Sequence, residues 1–65
     1  MFILIFKKGD RLLYYVSLDQ YNVVHLSPNP AKANTFTNYT MALSIGHEIC
    51  QAEEFDSFIV RRVNE

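Results

Sequence analysis

The first half of the chain contains short apolar runs separated by turn residues. In the second half, apolar residues recur at intervals of three and four positions. Residues 2–6 (FILIF) are β-branched or aromatic and too few for a helix, so they predict a first strand. Gly9 and Asp10 then form a two-residue turn before a second apolar run, from Leu12 to Leu18. This pattern predicts a β-hairpin.

The rest of the chain predicts one more short strand, a helix and a final strand. Residues 23–26 (VVHL) are the third strand, which the prolines at 28 and 30 end. From Tyr39 to Glu53 the apolar residues recur at helical spacing, with Thr37 or Asn38 as the N-cap. Residues 55–63 (FDSFIVRRV) read as the fourth strand.

The element order is therefore β-β-β-α-β, and we expect a single α+β domain over residues 1–65. If the helix carries the chain back across the sheet, the fourth strand lies beside the first and parallel to it. This gives a four-stranded mixed sheet in the order 3-2-1-4, with the helix on one face. A fourth strand beside the third is the competing topology.

Both faces of the predicted hairpin are apolar, which suggests a binding surface. With Lys8 opposite Arg11, one face carries Phe2, Leu4, Phe6, Leu13 and Tyr15, and the other carries Ile3, Ile5, Leu12, Tyr14 and Val16. One helix covers only one face, and an open apolar face commonly binds a protein. Aromatic residues dominate such interfaces, so the predicted partner-binding residues are Tyr14, Tyr15, Ile3, Ile5 and Val16. Two alternatives remain open: the connector, residues 27–37, covers this face, or a second copy does.

The charges are nearly balanced, with six Lys and Arg against seven Asp and Glu. A parallel fourth strand would gather five basic residues at one end of the sheet, with the late acids and Asp19 at the other. The basic set is Lys7, Lys8, Arg11, Arg61 and Arg62. It predicts an anion or nucleic-acid site as an alternative function, against the simpler interpretation of a solvated hairpin tip and strand edge.

The stretch GHEIC, residues 46–50, resembles an active site but fails on chemical grounds. The zinc motif H-E-x-x-H needs a second histidine where this chain has Gln51. Cys50 and His47 lie three residues apart, yet nothing on that side of the helix would orient the imidazole. We expect no enzyme, cofactor or metal, and an enzyme or metal protein centred on these two residues is the third alternative. Gly46 is explained by a close approach of the helix to the sheet.

Small size favours self-association. A 65-residue domain buries a modest core, and a lone cysteine forms no internal disulfide. We therefore expect a homodimer. The apolar start of the chain is far shorter than the roughly 18 residues of a membrane span, and we expect no membrane partner and a cytoplasmic location.

The layout resembles that of small accessory proteins of bacteriophages and prophages. The resemblance lies in the early hairpin, the segment LSPNPAKA at residues 26–33, the pair Phe36-Thr37, and Ala42 at the start of a helix. It implies a non-enzymatic protein, made in the bacterial cytoplasm, that binds and modulates or inhibits a host or phage macromolecule, with a protein partner favoured. It implies no functional residues.

Overall fold

The computed structural model describes residues 1–63, which form an antiparallel sheet of four strands packed against one helix. The strands run in the spatial order β3-β2-β1-β4, as predicted. A short 3-10 turn at Pro30–Lys32 lies between β3 and the helix. The elements are β1 (Phe2–Lys8), β2 (Arg11–Leu18), β3 (Val24–Ser27), α1 (Tyr39–Ala52) and β4 (Ser57–Arg62).

The hairpin between β1 and β2 has the predicted register. Lys8 pairs with Arg11 and Phe6 with Leu13 across the two strands. Gly9 has a φ of 60°, and a positive φ at the first loop residue is typical of a type II′ turn, whose twist matches the flanking strands.

The prediction that β4 runs parallel to β1 is wrong, and the sheet is antiparallel rather than mixed. Phe2 pairs with Arg62 and Lys7 with Ser57, so the two strands run in opposite directions. The connector between β3 and α1, rather than the helix, carries the chain back. Phe36 of this connector exchanges two backbone hydrogen bonds with Phe2 at the start of β1. The helix therefore runs in the direction of β1, and β4 returns.

The helix packs on β1 and β4 through one side, which contains two small residues. Ala42, Gly46 and Ile49 are its buried positions, and they face a core built around Leu4 and Phe6 of β1. Asn38 is the N-cap, as predicted, and its side-chain oxygen accepts a hydrogen bond from the Met41 amide at 3.2 Å.

Candidate protein-binding surfaces

The face of the sheet turned away from α1 carries a shallow hollow of about 120 Å³, which we call the outer patch. Its floor is Ile5, which is buried, and on either side lie Leu12 of β2 and Ile59 of β4, exposed to 50% and 52%. None of the described residues that line it comes from the connector. The lining residues are Ile5, Lys7, Leu12, Ser57, Phe58, Ile59 and Arg61.

The predicted partner-binding residues differ in their exposure. Tyr14 and Val16 are half-buried, whereas Ile3 and Ile5 are buried between the neighbouring strands. Tyr15 lies on the helix side of the sheet, away from the outer patch, and is only 8% exposed. Its ring centroid lies 5.3 Å from that of Phe36.

The predicted cluster of five basic residues does not form, because β4 runs the other way. Arg61 and Arg62 pair with Ile3 and Phe2 at the start of β1, while Lys7, Lys8 and Arg11 are at the hairpin tip. Side chains alternate between the two faces of a sheet, so one residue of each group, Lys7 and Arg61, lies on the outer face. Both residues line the outer patch.

The expected separation of acids from bases is wrong for the same reason. The loop that leads into β4 lies against the hairpin tip, where the Asp56 amide donates to the Lys7 carbonyl at 2.9 Å. The Asp56 carboxylate accepts a hydrogen bond from the Gly9 amide at 2.8 Å. Acidic and basic side chains therefore share this end of the sheet.

A second and larger surface lies on the helix side of the sheet, and the sequence did not predict it. A groove of about 710 Å³ runs between α1 and the β2–β3 hairpin; we call it the helix groove. The hairpin side contributes Tyr15, Leu18, Asn22 and Val24, and the helix side contributes Ile45, Glu48, Ile49, Gln51, Ala52 and Glu53.

The helix groove owes part of its shape to a bulge in β2. The pairing with β3 shifts between Tyr15 and Ser17, after which Leu18 pairs with Val24. A bulge of one residue reverses the faces of all that follow, so Leu18 lies on the same side as Tyr15. The run Val16-Ser17-Leu18 contains no glycine to signal a bulge, and simple alternation would have placed Leu18 on the outer face.

The helix residues His47 and Cys50 do not meet in a catalytic arrangement. The Cys50 thiol donates to the Phe55 carbonyl at 3.5 Å, and the ring of His47 lies 6.5 Å from that of Phe58. Across residues 1–63, no three side chains of His, Cys, Asp or Glu come together as a metal ion would require.

The β2–β3 loop contains Asp19, whose carboxyl group has a lowered pKa. The Val23 amide donates a hydrogen bond of 2.9 Å to the Asp19 carboxylate and is the main cause of its lowered pKa. The Tyr21 amide donates a second hydrogen bond, of 2.8 Å, which also lowers the pKa of Asp19. His25 adds a contact of 3.2 Å between its Nε2 and the second carboxylate oxygen. These bonds close the loop and give Asp19 a structural role.

In the described part of the chain, α1 and the 3-10 turn are both too short or too polar to span a bilayer. Comparison of the chain with protein-family models, with curated proteins and with solved structures finds no match. The geometry above is therefore the basis for any functional assignment.

Proposed function

We propose that this chain is a non-enzymatic interaction protein that binds another protein through the outer patch. The observation that carries the proposal is the pair Leu12 and Ile59, each half-exposed beside the buried Ile5. Exposed apolar side chains that adjoin one another on a rigid sheet lose unfavourable contact with water when a partner covers them.

The apolar part of the patch is too small to hold a partner alone. Complete burial of a Leu or Ile side chain contributes about 1.5–3 kcal/mol, so the two half-exposed chains contribute about 2 kcal/mol together. A micromolar complex needs about 8 kcal/mol. The partner must therefore extend over the neighbouring residues, including the half-buried Tyr14.

The charges around the patch define the chemistry of the partner. Lys7 and Arg61 are exposed and line the patch on the same face. A partner that presents carboxylates around an apolar centre complements them, and such charges at the rim of an interface raise the association rate and the specificity. A protein partner is favoured over nucleic acid because Arg61 and Arg62 are separated from the three basic residues of the hairpin tip.

A separate protein is also a better occupant of this patch than a second copy. In a twofold dimer each patch faces itself, which brings Lys7 and Arg61 toward the same residues of the other copy. The homodimer expected from the small size of the domain stays a prediction. In line with the resemblance to phage accessory proteins, the proposed role is to modulate or inhibit a host or phage protein.

The experiment compares the proteins that three forms of the chain retain from a bacterial lysate. We expect Ile59→Asp to lose a specific protein that the wild type retains. Leu43→Asp is the matched control, since Leu43 is also exposed (42%) but lies on α1. Loss with both variants, or with neither, contradicts the assignment to the outer patch.

A further inference from the structure

The helix groove is apolar along its floor and open to water on the helix side of the sheet. The helix packs against β1 and β4, so the β2–β3 half of the same face has no helix over it. Leu18, which the bulge places on this side, is 52% exposed, while Ile45 and Val24 are half-buried. This arrangement leaves an apolar channel between a helix and a hairpin.

The charged residues of the groove all have the same sign. Glu48 and Glu53 are exposed on its helix side, and no basic residue is among the described residues that line it. The last turn of α1 also contains no basic residue. The negative end of the helix dipole therefore adds to the two carboxylates.

We infer that the helix groove binds an amphipathic segment of a partner protein, with apolar side chains on one face and lysine or arginine along its flank. The apolar face covers Leu18 and Ile45, and the basic flank meets Glu48 and Glu53. These two glutamates are five residues apart, about 7.5 Å along the helix axis and about 140° around it. The partner segment meets them with separate basic residues, as in helix-in-groove recognition.

This inference is independent of the proposed function. The groove and the outer patch lie on opposite faces of the sheet, and the groove is bordered by acids while Lys7 and Arg61 border the patch. The two surfaces therefore select partners of opposite charge, and a variant in one leaves the other intact.

The test uses two synthetic helical peptides as probes. Both carry leucines at a spacing of three and four residues, and one carries lysines and the other glutamates on the flanks. We expect the lysine peptide alone to bind, measured by fluorescence anisotropy at about 150 mM salt. Because a like charge at the rim is strongly unfavourable, Glu48→Lys should weaken binding at least about tenfold.

Two further variants separate the groove from general electrostatics. Asp10→Lys makes the same charge change at an exposed residue of the β1–β2 turn that does not line the groove, and it should alter the affinity less than about twofold because exposed charges that do not contact the peptide are screened. Leu18→Asp should abolish binding through the loss of the apolar floor. Circular dichroism establishes that each variant is folded.

Several results would overturn the inference. Absence of binding by the lysine peptide would do so, as would equal loss with Glu48→Lys and Asp10→Lys, which indicates attraction by net charge only. The chain could also polymerise by itself, and Glu48→Lys could abolish this polymerisation. That result would mean that the groove binds the basic outer patch of a second copy. Ile59→Asp leaves peptide binding unchanged if the two surfaces are separate.

Discussion

The ring of Phe58 in β4 occupies the space into which a β-carbon on Gly46 of α1 would project. A β-carbon built on Gly46 would lie 2.6 Å from Cε2 of Phe58 and 3.0 Å from Cδ2 of Leu4. The closest approach of the helix to the sheet thus depends on a residue without a side chain, as the sequence predicted.

Substitution Gly46→Ala should therefore destabilise the fold, although alanine favours a helix by about 0.5–1 kcal/mol over glycine. Overpacking a well-filled core costs about 1–3 kcal/mol, and we expect a net loss of about 1 kcal/mol in the free energy of unfolding by urea. Ser44→Ala, at an exposed position of the same helix, gives the effect of helix propensity alone. Equal stabilisation by both substitutions would exclude the close contact.

Glu54 ends the helix in a conformation that costs free energy. Its φ is 55°, and the amides of Glu54 and Phe55 donate to the carbonyls of Gln51 and Cys50, which is a Schellman motif. Glycine adopts this conformation without the steric penalty of about 1–2 kcal/mol.

We accordingly expect Glu54→Gly to raise the free energy of unfolding by about 1 kcal/mol. Glu54→Gln separates the effect of charge at the helix C-terminus from that of the backbone. Glu53→Gly is the control for backbone position, because Glu53 has a φ of −95° that suits any residue. A loss of stability in Glu54→Gly would contradict the assignment of this motif.

Because of Asp19, the free energy of unfolding should depend on pH in the acid range. Hydrogen bonds from the Val23 and Tyr21 amides hold the pKa of Asp19 below its ordinary value of 3.8, so folding favours the ionised carboxylate. This stabilisation is complete above pH 3.8 and is lost as the pH falls through the lower pKa of the folded protein.

Asp19→Asn should remove that part of the pH dependence. The difference in the free energy of unfolding between wild type and this variant should shrink as the pH is lowered from 6 toward 2, in a range of about one to two pH units around the folded pKa. Asp10→Asn, at the exposed hairpin tip, serves as the control. A difference that stays constant with pH would refute the role of the carboxylate.

The contact between Asp56 and Gly9 predicts a local change at the hairpin tip. The bond of 2.8 Å joins residues 47 positions apart in an exposed setting, where a hydrogen bond contributes about 0.5–1.5 kcal/mol. Asp56→Ala should lower stability by about 0.5 kcal/mol and accelerate hydrogen exchange of the Gly9 amide. Asp10→Ala should leave this exchange unchanged, and equal acceleration by both would argue against the bond.

The register of the first hairpin and the buried side of the helix follow from local features that a sequence displays. The Gly9-Asp10 turn sets the register of the first hairpin, and the apolar spacing from Ala42 to Ile49 identifies the buried side of the helix. These features depend on neighbours along the chain, where turn geometry and side-chain alternation decide the outcome.

The direction of β4 depends on where a connector ends, which the sequence does not display. Residues 28–38 are able to span the sheet, since each extended residue covers about 3.3 Å, and the bonds between Phe36 and Phe2 fix their path only in the folded state. The bulge after Tyr15 likewise has no glycine in the sequence to mark it. These two features account for the divided basic cluster and for the groove that the sequence did not predict.

NMR mapping of the contact tests the claim that a partner protein binds at the outer patch. The ¹⁵N-labelled chain is titrated with the protein that the wild type retains from the lysate. We predict that the largest shifts of amide signals fall at Ile5, Leu12, Tyr14 and Ile59. Shifts confined to residues of the α1 surface, such as Leu43 and His47, would contradict the claim.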